Sequence, residues 1–267
     1  MSGGAGGWRA AVDGHLRRPS GTATLSCGVE GGVFVWCGLA VWLGLLGAIH
    51  RAIWSGQAWQ WFPEGARLLF SGSGLHLYAM RPDFQIGPLS FVAVTPLIFG
   101  LPAGAAEATA MVLMSVAGLG VLAGLRTLLP APWRRYDVRF VLAAVCFLTV
   151  WAELAVTFTH ADDVLAIGFT IAALHAVHAE RTYRAAALLA IAADCKPWAA
   201  AFVVLLLLAG SGRLRALAVW TAGVLVVWLP FVLADPGTLS AAQYRIPNNA
   251  ASSLRTLGVH AWGTPTW

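Results

Sequence analysis

Charged residues are scarce in this chain, and lysine is almost missing. Only 11% of the 267 residues are charged, whereas 58% are hydrophobic and the mean hydropathy is +0.72. Soluble domains carry about 25% charged residues, so the composition excludes an ordinary soluble protein and predicts a membrane protein. Cysteine is also rare. Its four copies show no CxxC spacing, so neither a disulfide framework nor a zinc site is indicated.

Lys196 is the only lysine of the chain, and it lies between two long apolar runs. A charge in such a place is costly, and its presence predicts a substrate, ion or proton site. The alternative is a structural ion pair with Asp194, two residues earlier.

Apolar runs cover most of the chain after a polar start. Residues 1–30 have no apolar core of their own, so they predict a cytoplasmic tail rather than a signal peptide. Residues 31–267 predict an all-α, polytopic bundle of transmembrane helices. The expected helices are 31–53, 88–125 as a half-helix followed by a full crossing, 140–158, 163–179, 185–210 as a broken hairpin, and 216–234.

Basic residues predict the orientation of these helices in the cell membrane. They stand at the ends of apolar runs, which orients helices in a bilayer and argues against nucleic acid as a partner. One topology places eleven of the seventeen inside: Arg9, Arg17, Arg18, Arg126, Arg134, Arg135, Arg139, Arg181, Arg184, Arg213 and Arg215. The loop 54–87, His160–Asp163, the bend at Asp194 and Lys196, and the tail 235–267 then all lie on the outer face.

Polar clusters in the outer segments are the candidate site. The loop 54–87 returns to the bilayer at Arg81, Asp83 and Gln85, where these side chains can line an outward-facing cavity. The tryptophans of the loop have two equally good interpretations, a functional surface and an aromatic belt at the membrane interface. In the short turn at His160, Asp162 and Asp163, one aspartate is explained by capping the next helix. Two acids and an imidazole exceed that need. They could bind a divalent cation, position a sugar hydroxyl, or pair with the lysine or an arginine.

Several short motifs together resemble a known family. GARLL at 65–69, LHLYA at 75–79, PDFQIGPL at 82–89, HADD at 160–163 and AADCKPW at 192–198 are similar to the actinobacterial glycosyltransferases of the GT-C superfamily, most of all the polyprenyl-phosphate-mannose-dependent type. The resemblance covers about residues 31–267. It implies a GT-C-like fold and inverting transfer of a hexose, mannose above all, from a polyprenyl phosphate donor to a lipid or glycan acceptor on the outer face.

The same resemblance implies roles for individual residues. A carboxylate of the first outer loop acts as general base in the family, but Ala58 stands at that position, which leaves Glu64 and Asp83 as candidate catalytic residues. Cations must stabilise the leaving phosphate, a role that suits Arg81 and Lys196. The other candidate substrate-binding residues are Gln85, His160, Asp162, Asp163 and Asp194. No cofactor is predicted, although a divalent metal is not excluded.

Two departures keep other functions open. Members of the superfamily have several more helices, so the sequence predicts a chain that is incomplete at its C-terminus. Together with Ala58, this favours an impaired enzyme, or a non-catalytic scaffold or fragment. A secondary transporter or ion-conducting protein is the other alternative, because acids and a lysine beside a broken helix suit an ion relay.

Overall fold

The computed structural model describes residues 56, 58–129, 138–208 and 212–243. It is all-helical, with no strand among these residues, which confirms the predicted class. The predicted helix 31–53, the tail 1–30, Arg134, Arg135 and residues 244–267 lie outside the described part. The α-helices, numbered in chain order, are α1 (Trp61–Leu69), α2 (Leu77–Met80), α3 (Pro88–Gly100), α4 (Ala103–Leu128), α5 (Val138–Ala152), α6 (Ala161–His178), α7 (Thr182–Cys195) and α8 (Arg213–Ala234).

Other helical turns complete these elements. A π-helix over Glu153–Phe158 continues α5, and 3₁₀-helices cover Gly74–His76, Pro197–Leu208 and Pro236–Gln243.

Three of the described helices are long and apolar enough to cross a membrane: α4, α6 and α8. At 1.5 Å per residue, the 26 residues of α4 extend about 39 Å, which exceeds the roughly 30 Å of a hydrocarbon core. Large apolar side chains such as Leu214, Val226 and Leu233 are exposed on α8. Their exposure is expected where lipid, rather than water, surrounds the helix.

The stretch predicted as a half-helix followed by a crossing is divided at Leu101 and Pro102. Pro96 does not interrupt α3, and the chain leaves the helix at Leu101, where the backbone is extended. Helix α3 packs along α1: Phe62 lies 6.3 Å from Phe91, and Phe70 lies 6.3 Å from Phe99, between ring centroids. This pairing places α3 beside α1 in the bundle.

The predicted hairpin at 185–210 is present as α7 followed by the 3₁₀-helix Pro197–Leu208. Lys196 separates the two with an extended backbone (φ −146°, ψ 117°). A residue before proline is sterically driven out of the helical region, so the Lys196–Pro197 sequence fixes the position of the break. The only lysine therefore lies at the tip of the hairpin.

Each long helix joins two ends of the bundle, which we call the Lys196 end and the arginine end. The arginine end carries a groove of about 1140 Å³, with Arg181, Arg184, Arg213 and Arg215 in its walls. The 14 residues of α7 connect Arg181 to the Lys196 end, which makes the distance between the ends about 20 Å. Helices α4 and α6 run in the same direction, because His175 near the end of α6 lies 3.0 Å from the Gly124 carbonyl oxygen of α4.

The segments expected on one membrane face do meet at the Lys196 end. The Gly87 N–H donates to the Cys195 carbonyl at 2.9 Å, and His76 lies 3.1 Å from Asp235. At the start of the loop, the Ala58 N–H donates to the Phe158 carbonyl at 2.9 Å. Which side of the membrane this end faces stays a prediction.

Candidate functional site

Lys196 forms its ion pair with Asp162 of the HADD turn. Its Nζ donates to Asp162 Oδ2 and lies 3.7 Å from Asp163 Oδ1. The Asp162 side chain has no exposed surface, whereas 15% of the Lys196 side chain is exposed. The suggested structural pair with Asp194 is therefore wrong, and the alternative in which an acid of the HADD turn pairs with the lysine is confirmed.

The HADD turn is held by unusual backbone on its N-terminal side. The π-helix Glu153–Phe158 ends at Thr159, a buried residue in the left-handed region (φ 57°, ψ 48°). The chain then enters α6 with His160 at the N-cap and no side-chain cap. Asp162 does not cap α6, because it lies within the first turn of the helix and its side chain pairs with Lys196. Such irregular turns are common at functional sites and cost of order 1–3 kcal/mol each.

Three groups of the turn gather around one point. His160 Nδ1 lies 3.5 Å from Asp162 Oδ1 and 3.7 Å from Asp163 Oδ2. Neither His160 Nδ1 nor Asp162 Oδ1 has a hydrogen-bond partner among the described residues, although both atoms are buried. Asp163 is better satisfied, since Trp198 Nε1 donates to its Oδ1 at 2.7 Å.

A second polar cluster surrounds Arg81. Its guanidinium forms a bidentate pair with Asp83, with Nε to Oδ1 at 3.0 Å and Nη2 to Oδ2 at 2.8 Å, and it also pairs with Glu64. The guanidinium carbon lies 4.3 Å from the Phe84 ring centroid and 5.5 Å from that of Trp61. Hydrogen bonding from Arg81 lowers the pKa of Asp83. Both candidate bases are thus engaged by one cation.

Asp194 occupies a separate place in the same end of the bundle. Its side chain is 1% exposed and has Trp228 of α8 as a hydrogen-bond partner, while its Oδ1 has none among the described residues. Its backbone approaches the loop so closely that a Cβ on Gly87 would overlap the Asp194 carbonyl. Ser90 Oγ also donates to the Cys195 carbonyl at 3.0 Å. The loop is therefore joined to the end of α7 without an intervening side chain.

A cavity of about 510 Å³ adjoins the tip of the hairpin. This volume lies within the roughly 300–1,000 Å³ of small-molecule sites. Gln85 and Lys196, two of the sequence-predicted residues, both line it. The other lining residues are Tyr78, Phe84, Pro197, Trp198, Trp228, Val232, Thr238, Leu239, Ala241 and Ala242.

The sequence did not single out the aromatic walls of this cavity. Trp228 gave no signal, because it is one apolar residue in the apolar α8, and Trp198 was noted only as part of a motif. Of the loop tryptophans, Trp59 is buried and stacks on Phe62 at 5.6 Å, so the interfacial-belt interpretation does not hold for it. Ala58 is also buried, and it lies beside the Phe158 backbone, two residues before His160.

Comparison of the chain with protein-family models, curated proteins and solved structures finds no match.

Proposed function

We propose that this chain is an integral-membrane glycosyltransferase that moves a hexose from a polyprenyl phosphate donor to an acceptor hydroxyl at the Lys196 end. One observation carries the proposal: the only lysine lines an aromatic-walled cavity of about 510 Å³ at the end of a bundle of membrane-length helices. Mannose as the hexose, and a lipid or glycan as the acceptor, come from the motif resemblance described above.

Lys196 is the proposed ligand of the donor phosphate. An ammonium group has three N–H donors, and Asp162 Oδ2 accepts only one of them. The remaining donors are available to phosphate oxygens, whose negative charge grows as the bond to the sugar breaks. Buried Asp162 holds the ammonium at the cavity wall, so this arrangement is set before the donor binds. Gln85 supplies a neutral polar group on the same wall for a sugar hydroxyl.

Glu64 and Asp83 are the proposed acceptors of the hydroxyl proton. Arg81 holds the pKa of Asp83 low, which weakens this carboxylate as a base. Glu64 is also more accessible, with 44% of its side chain exposed against 26% for Asp83. We therefore assign the larger share of proton transfer to Glu64, with Arg81 placing both carboxylates.

The test is transfer of radiolabelled mannose from a polyprenyl phosphate donor in membranes that contain the chain. Loss of a general base typically costs about a hundredfold or more in rate, so E64Q is expected to abolish most activity and D83N to reduce it less. Because Ala58 replaces the acid of the family pattern, A58D is expected to raise activity above the parent. E180Q removes a carboxylate at the arginine end and serves as the matched control.

Binding of the donor is measured separately on the K196M/D162N variant, which removes both charges of the pair. The proposal predicts a normally inserted protein that no longer retains the labelled donor. Retention equal to that of the parent would exclude the phosphate role of Lys196. Absence of transfer in every variant, A58D included, would exclude the enzymatic function and favour a non-catalytic protein.

A further inference from the structure

We infer that His160, Asp162 and Asp163 form a binding site for one divalent transition-metal cation of the Mn²⁺ and Zn²⁺ class. The inference does not rest on the proposed function, because a metal site at this turn would exist whatever reaction the cavity serves. It starts from three donor atoms at the N-terminus of α6, namely His160 Nδ1, Asp162 Oδ1 and Asp163 Oδ2, which lie close together.

The spacing of these atoms suits one ion. Metal bonds of about 2.0–2.2 Å to nitrogen and carboxylate oxygen place two ligands of a tetrahedral site about 3.4 Å apart. The imidazole nitrogen is 3.5 Å from one carboxylate oxygen and 3.7 Å from the other. The three residues offer ligand atoms within 4.8 Å of one another, so small rotations of the partly exposed His160 and Asp163 side chains would close the set.

Buried atoms without hydrogen bonds are a second, independent observation at this turn. The Asp162 side chain has no exposed surface, yet its Oδ1 has no hydrogen-bond partner among the described residues, and the same is true of the buried His160 Nδ1 that faces it. A buried polar atom without a hydrogen-bond partner destabilises the fold, and within the described part of the chain both atoms of this facing pair lack one. A cation between them would satisfy both atoms.

Lys196 leaves the required oxygens free. Its ammonium donates to Asp162 Oδ2 and lies near Asp163 Oδ1, whereas His160 Nδ1 faces the other oxygen of each carboxylate. Trp198 also donates to Asp163 Oδ1. Each aspartate therefore has one oxygen held by the hairpin tip and one directed to the imidazole. This is the arrangement by which neighbouring groups orient metal ligands in proteins.

Charge and donor chemistry define the class of ion. With a neutral imidazole, two carboxylates and one ammonium carry a net charge of −1, which attracts a divalent cation. The imidazole ligand suits Zn²⁺ and the two carboxylates suit Mn²⁺, whereas Ca²⁺ and Mg²⁺ are held by oxygen ligands. Coordination positions beyond the three protein ligands remain for water or a bound oxyanion.

The experiment measures binding of Mn²⁺ alone to the full chain in detergent micelles, after treatment with a chelator and with no histidine tag. The free ion is counted from its electron paramagnetic resonance signal, and Zn²⁺ is added as competitor. We expect one saturable Mn²⁺ site that Zn²⁺ displaces. H160A and D163N are each expected to weaken binding about tenfold or more. Asparagine still accepts the Trp198 hydrogen bond, so D163N tests the metal ligand with little disturbance of the hairpin.

Two further variants make the result decisive. H178A removes an imidazole at the arginine end and should leave the Mn²⁺ affinity unchanged. K196R keeps a positive charge beside Asp162 and should leave the Mn²⁺ affinity unchanged. If binding is absent, or if H160A binds Mn²⁺ as tightly as H178A does, the site is not a metal site and His160 is a proton partner of the two acids. Transferase activity enters neither outcome, so failure here is separable from failure of the proposed function.

Discussion

Replacing Lys196 with methionine is the sharpest test of the ion pair at the hairpin tip. The methionine side chain is unbranched and only one heavy atom shorter than lysine, but it leaves Asp162, which has no exposed surface, without its cation. Removing one partner of a buried pair typically costs about 3–5 kcal/mol, because an uncompensated charge stays behind. The second carboxylate of the turn, Asp163, adds repulsion, so K196M should fall at the upper part of this range.

The reverse substitution should cost less, for a reason visible in the structure. In D162N, Lys196 keeps Asp163 Oδ1 at 3.7 Å as an alternative anion, and 15% of its side chain is already exposed. The asparagine oxygen can also accept from the ammonium. We expect a loss of about 1–3 kcal/mol, the usual cost of a disturbed buried hydrogen bond.

The double variant K196M/D162L completes the test. An apolar pair often replaces a buried ion pair at little cost, so the double variant should unfold within about 1–2 kcal/mol of the parent. K196M/D194L is the matched control and should show no recovery, because Asp194 has Trp228 as its partner. The free energy of unfolding is measured in mixed micelles with increasing dodecyl sulfate. Recovery in K196M/D194L, or a smaller loss in K196M than in D162N, would refute the assigned pairing.

Three further outcomes are expected at other positions. G87A should prevent normal assembly of the loop, since its methyl group has no room against the α7 backbone, whereas G100A, with open space around it, should be near neutral by the same unfolding assay. The hydrogen bonds from Arg81 hold the folded-state pKa of Asp83 below its ordinary value of 3.8. The carboxylate therefore stabilises the fold above pH 3.8, and this contribution is lost as the pH falls through the lowered pKa. D83N should remove this pH dependence of the unfolding free energy in the acidic range. With the native cysteines removed, an impermeant thiol reagent added outside should label cysteine at Ser73 but not at Arg184, and the opposite pattern would invert the topology.

Local physical rules predicted the helices well where proline and charge set their ends. The expected segments 163–179 and 216–234 are close to Ala161–His178 and Arg213–Ala234, and the break before Pro197 follows from the restriction on the residue that precedes proline. Pro96 shows the limit of such rules. It removes one backbone donor, but α3 continues through it, because packing against α1 outweighs the missing bond.

The sequence left the partner of Lys196 open between Asp194 and the acids of the HADD turn, and it could not decide between them. Asp194 is two residues from Lys196 along the chain, while Asp162 is 34 residues away, yet the extended backbone at the tip directs the lysine to the neighbouring helix. Arg81 in the same way binds both candidate bases, which sequence spacing alone left unpaired. Contacts across helices depend on how their faces pack, and apolar helices carry little pattern that encodes this.

The single lysine makes the hairpin tip the one place where a side-chain primary amine can react. Acylating reagents need a free amine, and in the folded protein the Lys196 Nζ is paired with the buried Asp162 carboxylate. The rate of acylation at position 196 therefore reports how often the pair opens, without any substitution. Bound ligands that engage the ammonium would slow this reaction, so a mass increment on one peptide becomes a direct reading of occupancy at the Lys196 end.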